Sequence, residues 1–324
     1  MSRGTVNTRG REPCGVLNVH KPEGITSHDV VDAVRRLYRI RRVGHTGTLD
    51  PRGTGVLPIC VGQATKIAQY LTTADKEYEM VMRLGITTDT QDADGQVLSA
   101  TEVAQVSRRD LEEILPRFIG EIEQVPPLFS AKKVGGERLY KRARRGEAVE
   151  RRPVVVRIYD LRLTGVDLPY VGLWMHCSKG TYARTLCEDI GRTLGCGAHL
   201  HSLIRVRAGR FELKDALTLE AIESLVAEGR GDAVLTPIED ALAHLPGVRI
   251  LPEATPSILH GIPLRAAQVV SFPAAVRPGA LVRVLGFRRQ LIALASTALG
   301  SDEFPGVDPH SAVLTPVRVF GGST

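Results

Sequence analysis

The apolar pattern changes character near Pro246, and no other feature of the 324-residue sequence limits the fold as sharply. Before that point, strand-like runs interleave with runs at helical spacing. Residues 15–19 (GVLNV), 78–84, 154–166 and 171–177 read as strands, the last two as a hairpin. Thr26 with Asp29, and Ser107 with Asp110, have capping-box spacing. Behind them Val30, Val31, Val34, Leu37 and Tyr38, and then Leu111, Ile114, Leu115 and Phe118, fall on single helical faces. Further helices are expected over 63–71, 181–194 and 218–228, and the glycine-rich stretch 44–62 reads as loop punctuated by short strands. Beyond Pro246, short β-like runs (281–285, 291–295, 317–320) stand between prolines and glycines. The pattern predicts an α+β chain with one domain over residues 1–245 and a small all-β module over 246–324.

Positive charge is concentrated in one stretch. The chain has 42 Lys/Arg against 36 Asp/Glu, a net +6. Ser130 to Arg152 holds nine Lys/Arg and three Glu, so this stretch alone carries +6 and the rest sums to zero. A second cluster, Arg35 to Arg42, has five arginines and no acid. Such concentration attracts polyanions, nucleic acid first among them, although a basic run is equally compatible with a solvated face. Pro126-Pro127 and Gly135-Gly136 predict that the segment, about 126–152, leaves the core as a mobile excursion.

Other classes fall away. No apolar run is long enough for a membrane helix, and no apolar stretch follows the basic N-terminus, which predicts a soluble, cytoplasmic protein. Five scattered cysteines without CxxC spacing argue against a disulfide framework and structural zinc. There is no P-loop, HExxH or dinucleotide turn, so no cofactor and no metal are expected.

One string remains: GHTGTLDPRGTGVLP, from Gly44 to Pro58. Asp50-Pro51 alone is a common turn pair. The whole string, however, closely resembles the GHxGxLDPxAxGxLP motif of the TruB family, the bacterial tRNA pseudouridine-55 synthases, with Gly53 in place of the family's alanine. The resemblance extends to Lys21-Pro22 with Ser27, to Tyr78, and to Thr88–Gly95. It continues through His176–Thr185 and 195–200 to Leu203 and Arg205, covering roughly residues 14–240.

The resemblance implies a catalytic domain on a mixed, mainly antiparallel sheet with flanking helices, and a PUA-like C-terminal module. It implies conversion of uridine 55 in the tRNA T stem-loop to pseudouridine, without cofactor or obligatory protein partner, by a monomer. Asp50 would be the nucleophile, with Arg184 holding its carboxylate ionised; taken alone, Arg184 reads as an ordinary helix arginine. Tyr78 would stack on the base and assist removal of the C5 proton, Tyr182 and Leu203 would line the pocket, and Lys21 would order the loop. His45 would fill the space left by the extruded base. The basic excursion, with Lys132, Arg142, Arg144 and Arg145, would clamp the RNA. Two other readings stand beside this one: a guide-RNA-dependent, dyskerin-like subunit, and an RNA-binding or RNA-folding protein with incidental catalysis.

Overall fold

The computed structural model describes residues 12–320 apart from 104, 128–132, 135–136, 139–144 and 146–150. The first strand among the described residues, β1 (Gly15–Lys21), leads through the Lys21–Gly24 turn into α1 (Ser27–Tyr38). Both halves of the capping box form there: the Thr26 side chain accepts from the Asp29 N–H, and Asp29 accepts from the Thr26 N–H. Val30, Val31, Val34 and Tyr38 then pack on Leu17, Val19, Leu57 and Ile59 of the sheet.

The chain continues through β2 (Val43–His45), β3 (Thr54–Val61), α2 (Ala68–Thr72) and β4 (Lys76–Leu84). A small hairpin, β5 (Ile86–Thr88) and β6 (Val97–Ala100), precedes α3 (Arg108–Ile114) and β7 (Gly120–Gln124). Two-residue strands β8 (Lys133–Val134) and β9 (Glu137–Arg138) pair with each other within the basic segment. Then come β10 (Val154–Asp167), β11 (Tyr170–Cys177), α4 (Ala183–Thr193), β12 (Ala198–Ala208), β13 (Phe211–Glu212), α5 (Leu219–Ala227) and β14 (Leu235–Thr236).

The main sheet runs β14-β1-β3-β12-β4-β11-β10-β7, with β2 on β3 and β13 on β12. Its β3–β12 pairing is parallel and the others are antiparallel. The expected mixed, mainly antiparallel sheet is therefore present. The apolar side of α4 (Leu186, Cys187, Ile190) covers Met82, Leu173 and Met175 at the sheet's centre.

Two elements differ from the sequence reading. Over 63–71, a 3-10 stretch from Gly62 to Ile67 precedes a five-residue helix. Ala64 and Ile67 are three apart, so a three-residue turn buries both equally well. In the glycine-rich stretch, β3 is eight residues long and buried from Gly55 to Val61. Interior strands covered on both faces lose the alternation that marks a strand in sequence.

Beyond α6 (Ile238–Ala241), a second sheet starts at β15 (Gly247–Ile250). With α7 (Thr255–Leu259), β16 (Leu264–Arg265), β17 (Val269–Ser271), β18 (Leu281–Leu285), β19 (Leu291–Thr297) and β20 (Ala312–Val319), it has the order β16-β20-β19-β18-β15-β17. β20 is longer than the sequence suggests because Pro316 sits at a register irregularity, where a missing N–H is tolerated. The two sheets meet in one apolar cluster. Leu294 is fully buried there, with Leu281, Leu291 and Phe320 packing beside it, against Val16, Val56, Ile67 and Phe211. Arg283 Nε donates to Leu245 O (2.9 Å) and Lys66 Nζ to Val319 O (3.2 Å) across the same junction.

Candidate active site

The loop between β2 and β3 carries Asp50, and three buried side chains hold its backbone. Ser27 Oγ, at the start of α1, accepts from the Leu49 N–H (2.8 Å) and donates to the Leu49 carbonyl (2.9 Å). Lys21 Nζ, at the end of β1, donates to the carbonyls of Pro51 (2.9 Å) and Pro22 (2.8 Å). Arg205, on β12, donates from Nη2 to Gly47 O (3.1 Å) and from Nε to Val56 O (2.6 Å). Lys21 and Arg205 rank among the largest fully buried side chains of the molecule. Gly53 N–H closes the turn on Asp50 O at 3.0 Å.

Asp50 faces a cavity of about 560 Å³ lined also by Lys76, Tyr78, Tyr182, Arg184 and Leu203. That volume lies within the range of small-ligand sites. Tyr78 comes from β4 and Leu203 from β12, while Tyr182 and Arg184 open α4. The Tyr182 backbone is held by Gln124 at the end of β7: its N–H donates to Gln124 Oε1 (2.9 Å), and Gln124 Nε2 donates to its carbonyl (3.2 Å).

Arg184 Nε lies 2.9 Å from Asp50 Oδ2, and Nη1 lies 3.5 Å from Asp92 Oδ2 and donates to Thr90 O at 3.1 Å. One nearly buried guanidinium thus bridges two carboxylates. Arg184 pulls the Asp50 carboxyl toward its ionised form, and a larger effect opposes it. Burial pushes that carboxyl above the usual aspartate range and Asp92 adds to the rise, while the opposing pull of Arg184 and Lys21 is smaller. The Asp50 side chain keeps 41% of its surface, facing the cleft, so water hydrates the carboxylate until something else fills the space.

Burial also pulls the Lys21 and Lys76 ammonium groups down to about 8 and pushes the Tyr78 phenol up. His45, at the end of β2, accepts from the Gly47 N–H through Nδ1 (3.3 Å) and does not line the cleft. Arg145 is exposed; Lys132, Arg142 and Arg144 lie outside the described residues. Among the described residues no group of three or more His, Cys, Asp or Glu is placed to hold a metal ion, and no helix is long and apolar enough to cross a membrane.

Residues 35–183 match the family model described as TruB family pseudouridylate synthase (N terminal domain), and residues 184–243 match the tRNA pseudouridylate synthase B C-terminal domain. The tRNA pseudouridine synthase B of Pseudomonas paraeruginosa is 49% identical over 265 residues, 81% of this chain and 87% of the relative. The chain belongs to the TruB family of pseudouridylate synthases. The Geobacillus thermodenitrificans tRNA pseudouridine synthase B is 47% identical over 258 residues, 78% of this chain and 85% of that one.

Among solved structures, a chain of the H/ACA RNP bound to a substrate RNA containing 2'-deoxyuridine superposes with a TM-score of 0.78 at 25% identity, covering 99% of this chain and 92% of that one. A chain of a Cbf5-Nop10-Gar1 complex gives 0.77 at 27% identity, covering 98% and 90%.

Within this TruB-family site, sequence reasoning assigned no role to Asp92, Gln124, Lys76 or Arg205. Asp92, Lys76 and Arg205 do stand inside or directly beside the matched motifs, which is the only available signal. Gln124 precedes Pro126-Pro127 without any motif of its own.

Proposed function

We propose that this protein converts uridine 55 in the T loop of tRNA to pseudouridine, with Asp50 as the nucleophile acting on an extruded base. The observation that carries the reading is the Asp50–Arg184 pair at 2.9 Å in a cleft flanked by Tyr78, Tyr182 and Leu203. The reaction breaks the N1–C1′ bond of uridine, turns the uracil and joins C5 to C1′, with the proton lost from C5 balanced by one gained at N1. Attack at C1′, attack at C6 and passage through a glycal all require an ionised carboxylate within reach of the nucleoside. Arg184 favours that ionised form and fixes its direction, and the aromatic walls suit a planar base.

A base held in a folded loop has to leave its stack before a carboxylate in a cleft can reach its sugar, at a cost of a few kcal/mol. His45 ends the strand leading into the Asp50 loop, and we assign it the space vacated in the RNA. The basic segment over 126–152 supplies the phosphate-binding clamp, and the C-terminal sheet a further RNA-facing surface.

Incubation with an unmodified tRNA transcript, followed by mapping of pseudouridine positions, tests the proposal. Conversion at position 55 without any added guide RNA is expected. The likeness to H/ACA RNP chains over almost the whole length supports a second reading, a guide-dependent enzyme; conversion only after a guide RNA is supplied would select it. Asp50→Asn is expected to reduce the single-turnover rate by about 10³-fold or more while tRNA affinity stays within a few fold. An active Asp50→Asn protein would refute the nucleophile assignment.

A further inference from the structure

Arg205 is 2% exposed, yet among the described residues no carboxylate forms a salt bridge with it. A buried charge without a counter-charge is expensive to keep, so its contacts have to explain it. The guanidinium donates to the carbonyls of Gly47 and Val56, with the Thr48 carbonyl at 3.5 Å. Gly47 and Thr48 directly precede Leu49-Asp50 in the loop.

In the β4–β12 ladder Arg205 stands directly opposite Tyr78, and both residues line the same cleft. On its other side Arg205 pairs in parallel with Gly55. Gly55 has φ +95°, and a Cβ there would lie 2.3 Å from the Arg205 carbonyl oxygen, so β3 and β12 approach closely enough to fix the arginine's backbone. One rigid fork therefore holds the loop bearing the carboxylate, and its ladder partner is the tyrosine that lines the same cleft. A lysine, with one nitrogen, could not span these acceptors.

We propose that Arg205 is a positioning residue whose guanidinium meets the Tyr78 hydroxyl and sets it against the Asp50 loop, and that this placement serves the chemical step rather than RNA binding. The kinetic part rests on the pseudouridine chemistry proposed above. A displacement of about 1 Å in a reacting group can cost about 100-fold in rate. Arg205→Lys is accordingly expected to slow single-turnover conversion of a tRNA transcript by about 10–100-fold, with tRNA affinity within about threefold.

Because Arg205 acts in part through Tyr78, the losses in an Arg205→Lys/Tyr78→Phe double variant should multiply to less than the product of the single losses. A wild-type rate for Arg205→Lys, or fully multiplicative losses, overturns the proposal. If Arg205→Lys does not fold, the ¹⁵N arginine side-chain spectrum of Tyr78→Phe, in which Arg205 is intact, carries the test. A shift of one buried Nε–H resonance relative to wild type supports the contact, and an unchanged arginine spectrum overturns it. That spectrum is independent of turnover: a wild-type protein inactive on tRNA would defeat the proposed function while the spectrum still decided the contact.

Discussion

Asp50 is a charge in a place that disfavours charge. Burial and the neighbouring Asp92 favour its protonated form, Arg184 and Lys21 favour the ionised one, and burial is the larger effect. The sign for activity follows directly. Below its pKa the group is protonated and cannot act as a nucleophile; above it the carboxylate is available. The acid limb of the single-turnover rate is therefore expected above the ordinary aspartate value of about 3.9. Arg184→Met should move that limb further up, because it removes the strongest opposing pull. A rate profile from acid to neutral pH checks both; a limb at or below the ordinary aspartate value would contradict the burial argument. Sequence identified Asp50 and Arg184 as partners but not the direction of the shift. Motif spacing shows that a cation is near, whereas hydration depends on everything folded around the carboxyl.

At the scale of elements, the Asp50 loop owes its shape to residues elsewhere in the chain. Ser27→Ala removes both hydrogen bonds to Leu49 and leaves a buried N–H and C=O unpaired, which should cost about 1–3 kcal/mol. Thermal unfolding and single-turnover rate should fall together, since the strand of loop being loosened carries the carboxylate. Gly55 and Gly53 separate cleanly. Alanine at 55 meets the Arg205 backbone in a left-handed conformation, whereas at 53 its Cβ would lie 3.3 Å from Leu49 Cδ2 and 3.4 Å from Asp50 O. Gly55→Ala is therefore expected to unfold at much lower temperature and Gly53→Ala close to wild type, a ranking that calorimetry can reverse or confirm.

What sequence revealed here was local. Both capping boxes were readable because each joins residues three apart. β3 was not, because burial on both faces erases alternation. The Arg205 contacts were not, because its partners at 47 and 56 and its ladder neighbour at 78 come together only in three dimensions.

For the whole molecule, the break at Pro246 was visible in composition, but the docking of the second sheet on the first was not. It depends on Leu294 and Phe320 meeting Val16 and Ile67, a pairing that no periodicity encodes. Leu294→Ala should cost about 2–5 kcal/mol, and because the cluster is shared, calorimetry should show the loss in both sheets rather than in the C-terminal one alone. A shift confined to one of two separate transitions would mean that the junction is energetically idle. The shared cluster also bears on how the chain is made. Val16 leaves the ribosome well before Leu294, so until β19 emerges the apolar residues of β1 and β3 that face this cluster stay wet. A nascent chain of this design needs protection from aggregation until β19 has emerged, and chains released before β19 should accumulate on chaperones or in inclusion bodies.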